Sequence, residues 1–206
     1  MKIPSVRRPK GFTLVELLVV IAIIAVLASA GFAAGNAAIQ KARRTTALST
    51  AIAIESAVNN FFTEYGSMPT NTTTADEDDA PPVNTKDNKD LLEVLLGIET
   101  GTAPLNTRGI KFLSVREGKK KGTSDGINGL IYSDDGKSVK GLFDPWGGPY
   151  HVKLDTGYDE KVKDVKPKGA AQSVTLNGRR VAVWSDGADG VNSTGKASDD
   201  VKTWGN

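Results

Sequence analysis

One carboxylate, Glu16, stands at the head of the most apolar stretch of the chain. Leu17 to Ala34 is apolar apart from Ser29, and Glu16 lies five residues after Gly11. An ionisable group in such a span costs on the order of 2–3 kcal/mol unless it is paired. Its chemistry is therefore that of an ion pair, and it needs a cation from elsewhere. A second group of acids lies near the C-terminus, in Trp184-Ser185-Asp186-Gly187-Ala188-Asp189-Gly190 and Ser198-Asp199-Asp200-Val201. Calcium takes roughly six to eight oxygens from carboxylates, carbonyls and water. Asp186, Asp189, Asp199 and Asp200 offer acids on both sides of the loop from Asn192 to Ala197, and binding would close that loop. The spacing is not that of an EF-hand, and a solvated acidic loop is the competing reading of the same composition.

Catalytic groupings are missing. There is no cysteine, so neither thiol chemistry nor a disulfide framework is available. The single histidine, His151, lies in a strand pattern without a Cys, Glu or His nearby, which reads as a structural or surface residue. No Gly-x-Ser-x-Gly and no phosphate loop occurs. The chain reads as a structural protein and not an enzyme.

The elements that must carry these residues begin with a basic leader, Lys2, Arg7, Arg8 and Lys10. The run after it matches the roughly 20 residues of a membrane-spanning helix. Basic flanks stay on the cytoplasmic side, so the remaining chain is expected outside an inner membrane. A cleavable secretory signal, with Ala28-Ser29-Ala30 as its site, and a plain signal anchor are the alternatives. Neither explains Glu16. The formal charge of +2 is more than accounted for by the leader, so the chain from Phe12 onward is slightly acidic and carries no nucleic-acid footprint. At 206 residues there is room for one span and one globular domain.

Gly11-Phe12-Thr13-Leu14-Val15-Glu16 and the following Leu17-Leu18-Val19-Val20-Ile21-Ala22-Ile23-Ile24 resemble the type IV pilins and type II secretion pseudopilins. The resemblance implies a prepilin peptidase that cuts after Gly11 and N-methylates Phe12. It also implies that Glu16 of an incoming subunit meets the free amine of a neighbour's Phe12. A buried charge is tolerated when another compensates it, and one such pair fixes the register of helices that apolar packing would let slide. Pilin-like families carry a proline near the end of the span; here Ala33 stands there, between Gly31 and Gly35.

From Asn36 to Tyr65 the pattern turns amphipathic, with Ala47, Leu48, Ala51, Ile54, Ala57, Val58, Phe61 and Phe62 at three- and four-residue spacing. Gly66 and Pro69 end that helix. The polar stretch from Asn71 to Asp90, with Asp76-Glu77-Asp78-Asp79 and Pro81-Pro82, reads as an exposed loop. Asp87 to Asp90 offer caps for a short helix, Leu91 to Leu96, stopped by Gly97. Strands are expected over Ile110–Val115, Leu130–Ser133, Tyr150–Leu154, Ser173–Leu176 and Val181–Trp184, and Lys119-Lys120-Lys121 in a loop. Phe143-Asp144-Pro145-Trp146-Gly147-Gly148-Pro149-Tyr150 reads as a structural turn pinned by Trp146 and Tyr150.

Ile54 to Val58, Tyr65-Gly66, Met68-Pro69-Thr70 and the Asp144-Pro145-Trp146-Gly147 turn look like the major pseudopilin of type II secretion, although Gly148 stands where that group more often has Asn. The resemblance implies an α+β, type IV pilin-like fold: a long N-terminal helix on a small antiparallel sheet with a loop-rich C-terminus. The expected divisions are a leader (1–11), a transmembrane and polymerisation helix (12–35), an amphipathic half (36–70) and a periplasmic domain (71–206). It implies calcium in the C-terminal loop. Asp189 and Asp200 match the family acids best, Asp186 stands where a Leu usually gives its carbonyl, and Ser198, Asp199 and Val201 complete the candidate ligands. The implied function is a pseudopilus subunit driving export of folded proteins. Implied partners are further copies in a helical homopolymer, prepilin peptidase, minor pseudopilins, an assembly platform and the inner membrane. A type IV pilus subunit and a non-polymerising, membrane-anchored calcium-binding domain are the alternatives.

Overall fold

The computed structural model describes residues 11–71, 81–122, 125–190 and 200–205. The chain divides into two units, Met1–Lys41 and Ala42–Asn206. In the first, the described part is helical from Leu14, the start of α1 (Leu14–Tyr65). Leu, Val, Ile and Ala surround this half on every side, and none of its described side chains is sheltered. Phe12, Leu14, Val15, Leu17, Leu18, Val19, Val20, Ile21, Ile23, Ile24, Val26, Leu27 and Phe32 are all exposed.

In the second unit, burial on α1 begins at Ala47. Ala47, Ala51, Ile54, Ala57, Val58 and Phe61 are fully buried, following the expected stripe. Each large side chain among them contributes on the order of 1.5–3 kcal/mol. Leu48 is an exception to that stripe: it is exposed, and the amphipathic pattern that starts at Asn36 gains a buried face only at Ala47. Gly66, at φ +69°, ends α1 by turning left-handed while its N–H bonds the Phe62 carbonyl at 2.8 Å.

Two residues, Val83–Asn84, form β1, and Asp90–Leu96 forms α2. The stretch expected as a wholly exposed loop thus contributes a strand and the buried Thr85; residues 72–80 lie outside the described part. The expected caps are corrected as well. Lys89 occupies the N-cap without a side-chain bond, and the Asp90 N–H donates to Asn88 Oδ1 at 3.1 Å. Gly97 ends α2 at φ +70°. Phe112 and Leu113 N–H both donate to the Leu95 carbonyl at 2.9 Å. Ile110–Val115 is therefore not a strand: its amides answer the open carbonyls of a helix end.

Lys119–Lys121 is not a loop but β2, paired antiparallel with β3 (Asp125–Ile127). All three lysines are exposed, and charge on a short edge discourages further pairing. β4 (Gly129–Tyr132) pairs with β5 (Val139–Phe143). β6 (His151–Leu154), β7 (Lys161–Val165), β8 (Val174–Asn177), β9 (Val181–Ser185) and β10 (Val201–Lys202) follow. The main sheet is antiparallel in the order β1-β6-β9-β10, and β7–β8 is a separate hairpin.

β9 explains the layering. Every residue in it is buried. Val181 and Val183 join the core of α1 and α2, with Val152, Leu154 and Val201 from the neighbouring strands. Ala182 and Trp184 face the other way, onto Val162, Val165, Leu176 and Trp204. The sheet is covered by helices on one side and by the β7–β8 hairpin on the other. Within that second cover, β8 falls on the expected strand Ser173–Leu176, whereas β7, like β5 and β10, was not among the expected strands.

Candidate functional site

The first candidate lies at the start of α1. Thr13 is the N-cap residue in all but name: its hydroxyl accepts the Glu16 N–H at 3.2 Å. Glu16 Oε2 in turn accepts the Thr13 N–H at 2.9 Å and the Thr13 hydroxyl at 2.7 Å. Thr13-x-x-Glu16 is a capping box, in which side chain and backbone satisfy each other's free donors. The sequence carried that signal, a Thr three residues before an acid and an apolar run, and it was missed. The carboxylate that no anchor explains thus has a partner within its own chain. Gly11 and Phe12 precede it, both exposed; Lys2, Arg7, Arg8 and Lys10 lie outside the described residues.

The second candidate is built where β5 runs into the Asp144 turn and β9 into the C-terminal loop. Asp144 is 1% exposed. Its Oδ1 accepts the N–H groups of Trp146, Gly147 and Gly148, each at 2.8 Å. Its Oδ2 accepts the Ser185 hydroxyl at 2.6 Å. Burial pushes its carboxyl above the usual aspartate value, against the lowering effect of those donors. The turn is structural, as expected, with Tyr150 buried and Trp146 packed against the core. Asp144 was not recognised as its hub. A Cβ at Gly148 would lie 2.9 Å from Asp144 Oδ2, so the glycine lets backbone and carboxylate approach.

Ser185 joins this turn to the acids that follow. Val201 pairs with Ser185 and is itself buried in the core, so its side chain is no ligand. Asp186 and Asp200 are the next residues outward from that pair. His151 Nε2 lies 3.2 Å from Asp186 Oδ2, and its ring stacks on Trp184 at 5.2 Å and 19°. The antiparallel register of β6 and β9 thus gives the histidine an aspartate partner that its sequence neighbourhood did not announce. Asp186 Oδ1 is buried and has no hydrogen-bond partner among the described residues. Asp200 is buried, with Lys202 Nζ 3.9 Å from its Oδ2. Asp189 is exposed. Ser198 and Asp199 lie outside the described residues. Among the described residues no group of three or more His, Asp or Glu side chains gathers where a metal could sit. The described donors are thus an incomplete set, but hard oxygens, one of them buried without a donor, suit a calcium ion.

The prokaryotic N-terminal methylation motif matches residues 6–32. The chain is 35% identical over 101 residues to the type IV major pilin protein PilE1 of Neisseria gonorrhoeae, a match covering 49% of this chain and 55% of that protein. The chain is thus similar to the type IV pilins. The fimbrial protein of Neisseria meningitidis serogroup A is 38% identical over 66 residues, 32% of this chain and 39% of that relative. The match thus spans about half the length of the first relative and less of the second. The pilin-like reading accounts for the methylation motif, the long helix and the small antiparallel sheet together. Among the described residues no helix is long and apolar enough to cross a membrane.

Proposed function

We propose that this pilin-like chain is made as a prepilin, cut after Gly11, N-methylated on Phe12 and held in the inner membrane by the apolar half of α1. Its subunits then polymerise through that helix, Glu16 meeting the amine of a neighbour's Phe12. The supporting observation is the exposed apolar surface from Phe12 to Phe32 with one carboxylate at its head. Soluble monomers do not expose apolar surface on this scale; it needs lipid or other copies of itself. The capping box accounts for Glu16 within one chain, so the test must separate hydrogen bonding from charge. Glu16→Gln keeps an acceptor for the Thr13 N–H but removes the charge, whereas Glu16→Ala removes both. Loss of filaments in both variants, with leader cleavage intact, is expected. Filament yield in Glu16→Gln equal to wild type would refute the ion pair.

The finer reading is a major pseudopilin of a type II secretion system, with its C-terminal domain in the periplasm. Support comes from the Asp144-Pro145-Trp146-Gly147 turn and its bond through Ser185 to the C-terminal acidic segment. Calcium held by Asp189 and Asp200 orders that segment in this reading; when bound it supplies positive charge and a common centre for oxygens from both ends of the loop. A pilus subunit is the second reading, favoured by the curated relatives, which are a major pilin and a fimbrial protein. Deleting the gene separates them. A pseudopilin mutant accumulates folded cargo in the periplasm, while a pilus mutant loses surface filaments and secretes normally.

A further inference from the structure

We infer that the Thr13 hydroxyl keeps the Gly11–Phe12 peptide, the bond at which the leader is cut, outside helix α1, and that Thr13 is thereby a positioning residue for leader cleavage. This rests on the prepilin reading above and divides the capping box between two partners: Glu16 serves the polymer and Thr13 the peptidase.

The start of α1 is decided by competition for one backbone donor. Helical bonds run from an N–H to the carbonyl four residues back. In a helix extended upstream, the Glu16 N–H would take the Phe12 carbonyl and the Val15 N–H the Gly11 carbonyl. In the observed chain the Glu16 N–H donates to Thr13 Oγ1 instead, at 3.2 Å. The bond from the Leu17 N–H to the Thr13 carbonyl, also at 3.2 Å, is the furthest upstream of the helical backbone bonds among the described residues. Gly11, Phe12 and Thr13 precede the helix, and all three are exposed. Apolar surroundings favour growth of the helix toward them, because each added helical bond satisfies a backbone group that lipid cannot. Thr13 opposes that growth by holding the donor. A Cβ at Gly11 would meet nothing within 4 Å, so packing does not demand a glycine there. Its reluctance to enter a helix acts in the same direction as the hydroxyl.

The chemistry of cleavage explains why this matters. Water adds at the Gly11 carbonyl carbon, the bond from that carbon to the Phe12 nitrogen breaks, Gly11 leaves as a carboxylate, and Phe12 keeps the proton on its new amine. Inside a helix the Gly11 carbonyl would be bonded to the Val15 N–H and walled by the next turn. In the segment before the helix both faces of the peptide are open. Proteolysis draws on the open form, and its rate follows the population of that form when opening is fast. The Glu16 carboxylate is not what holds the helix start in place, since Ala or Gln at that position carries the same backbone N–H for Thr13 Oγ1 to accept.

The test is cleavage of the full-length chain in detergent micelles by purified prepilin peptidase, with carbon chemical shifts of Gly11 and Phe12 reporting whether they are helical. Thr13→Ser keeps the hydroxyl and should be cleaved like wild type. Thr13→Val and Thr13→Ala remove it and should lower the extended-to-helical ratio at Gly11 and Phe12 about fivefold. Their kcat/KM should fall in proportion to the extended fraction that remains, through KM with kcat unchanged, because a substrate only partly in its competent form shows reduced apparent affinity. Glu16→Ala should lose less cleavage than Thr13→Ala. Adding Leu14→Pro to Thr13→Ala should restore cleavage without any hydroxyl: proline is accepted at the first helical position and holds the residue before it out of the helix. If wild type is not cut between Gly11 and Phe12, the prepilin reading fails and this inference with it. If wild type is cut and Thr13→Ala is cut equally well, only the inference is overturned. A Thr13→Ala defect that Leu14→Pro does not relieve, or that comes without a gain of helix at Gly11 and Phe12, overturns it as well, since the hydroxyl would then act by touching the peptidase.

Discussion

Removing the Asp144 carboxylate should destabilise the globular unit more than removing any other single polar group in the turn. Four donors converge on it, three backbone amides at 2.8 Å and the Ser185 hydroxyl at 2.6 Å. The amides are half-buried, so water can replace part of what is lost, and a net value near 1 kcal/mol per bond is appropriate. Asp144→Ala is therefore expected to cost about 3–4 kcal/mol, lowering Tm by roughly 10 °C for a chain of this size. Asp144→Asn keeps one oxygen for the amides and an NH2 that can donate to Ser185, so about 1–2 kcal/mol is expected. pH gives an independent reading. Burial raises the Asp144 carboxyl pKa, so the folded chain holds its proton to higher pH than the unfolded chain does. The associated stability is fully present below the ordinary aspartate value and is lost as pH rises through the raised one. The gap between wild type and Asp144→Asn should thus be widest in acid and narrow toward neutral pH. Thermal melts of both proteins between pH 3 and 7, about the range in which aspartates titrate, measure it. A gap that widens toward neutrality would refute burial as the dominant influence on the Asp144 carboxyl, and an Asp144→Ala cost below about 1 kcal/mol would refute its assignment as a buried acceptor hub.

Gly97→Ala should cost about 2–4 kcal/mol in urea denaturation, because φ is +70° and the new Cβ would sit 2.6 Å from the Gly109 carbonyl oxygen. Gly148→Ala should reproduce part of the Asp144→Ala loss through crowding of Oδ2 at 2.9 Å, with the normal rotation of Ser185 out of its bond visible as faster exchange of the turn amides. Asp134 is exposed and its pKa is lowered by hydrogen bonds from Lys120 and Lys140. Its contribution is present above the ordinary aspartate value and lost as pH falls through the lowered one; Asp134→Asn should shift Tm slightly at neutral pH and not at all in high salt, where surface pairs are screened.

The helix was legible because its signals are local and redundant: an apolar run, then Ala47, Ala51, Ile54 and Phe61 recurring on one face, then Gly66. α2 and β9 were legible for the same reason. Ile110–Val115 misled because its alternating apolar residues serve a helix end instead of a neighbouring strand, and only the tertiary bond to the Leu95 carbonyl decides that. β7 escaped notice because Lys161, Lys163 and Asp164 dilute the two buried valines, Val162 and Val165, while a register shift breaks their alternation. Lys119–Lys121 reads as a loop by composition and becomes a strand only through pairing with Asp125–Ile127. The Asp144 turn was visible as a turn, but its carboxylate's role depends on Ser185, 41 residues away. No local pattern announces such a bond.

The capping box of Glu16 is compatible with the assembly role proposed for the same carboxylate. Its Oε2 is bonded to the N–H of Thr13, which belongs to the peptide between Phe12 and Thr13. Cleavage after Gly11 leaves that peptide intact, so the capping box survives processing. In the proposed processing, what is added is a cationic amine on Phe12, one residue upstream. Before assembly the acid is therefore satisfied by hydrogen bonds though not neutralised, which reduces the cost of holding it at the edge of an apolar span. In the proposed assembly a neighbour's amine would supply the missing charge without requiring the cap to open, because a carboxylate has about four acceptor positions and Thr13 uses only those on Oε2. The capping box also fixes where the carboxylate points. Its side chain is folded back toward the helix start, where incoming N-termini would lie if helices pack in parallel, so in the proposed polymer the local device that begins the helix also presents the charge.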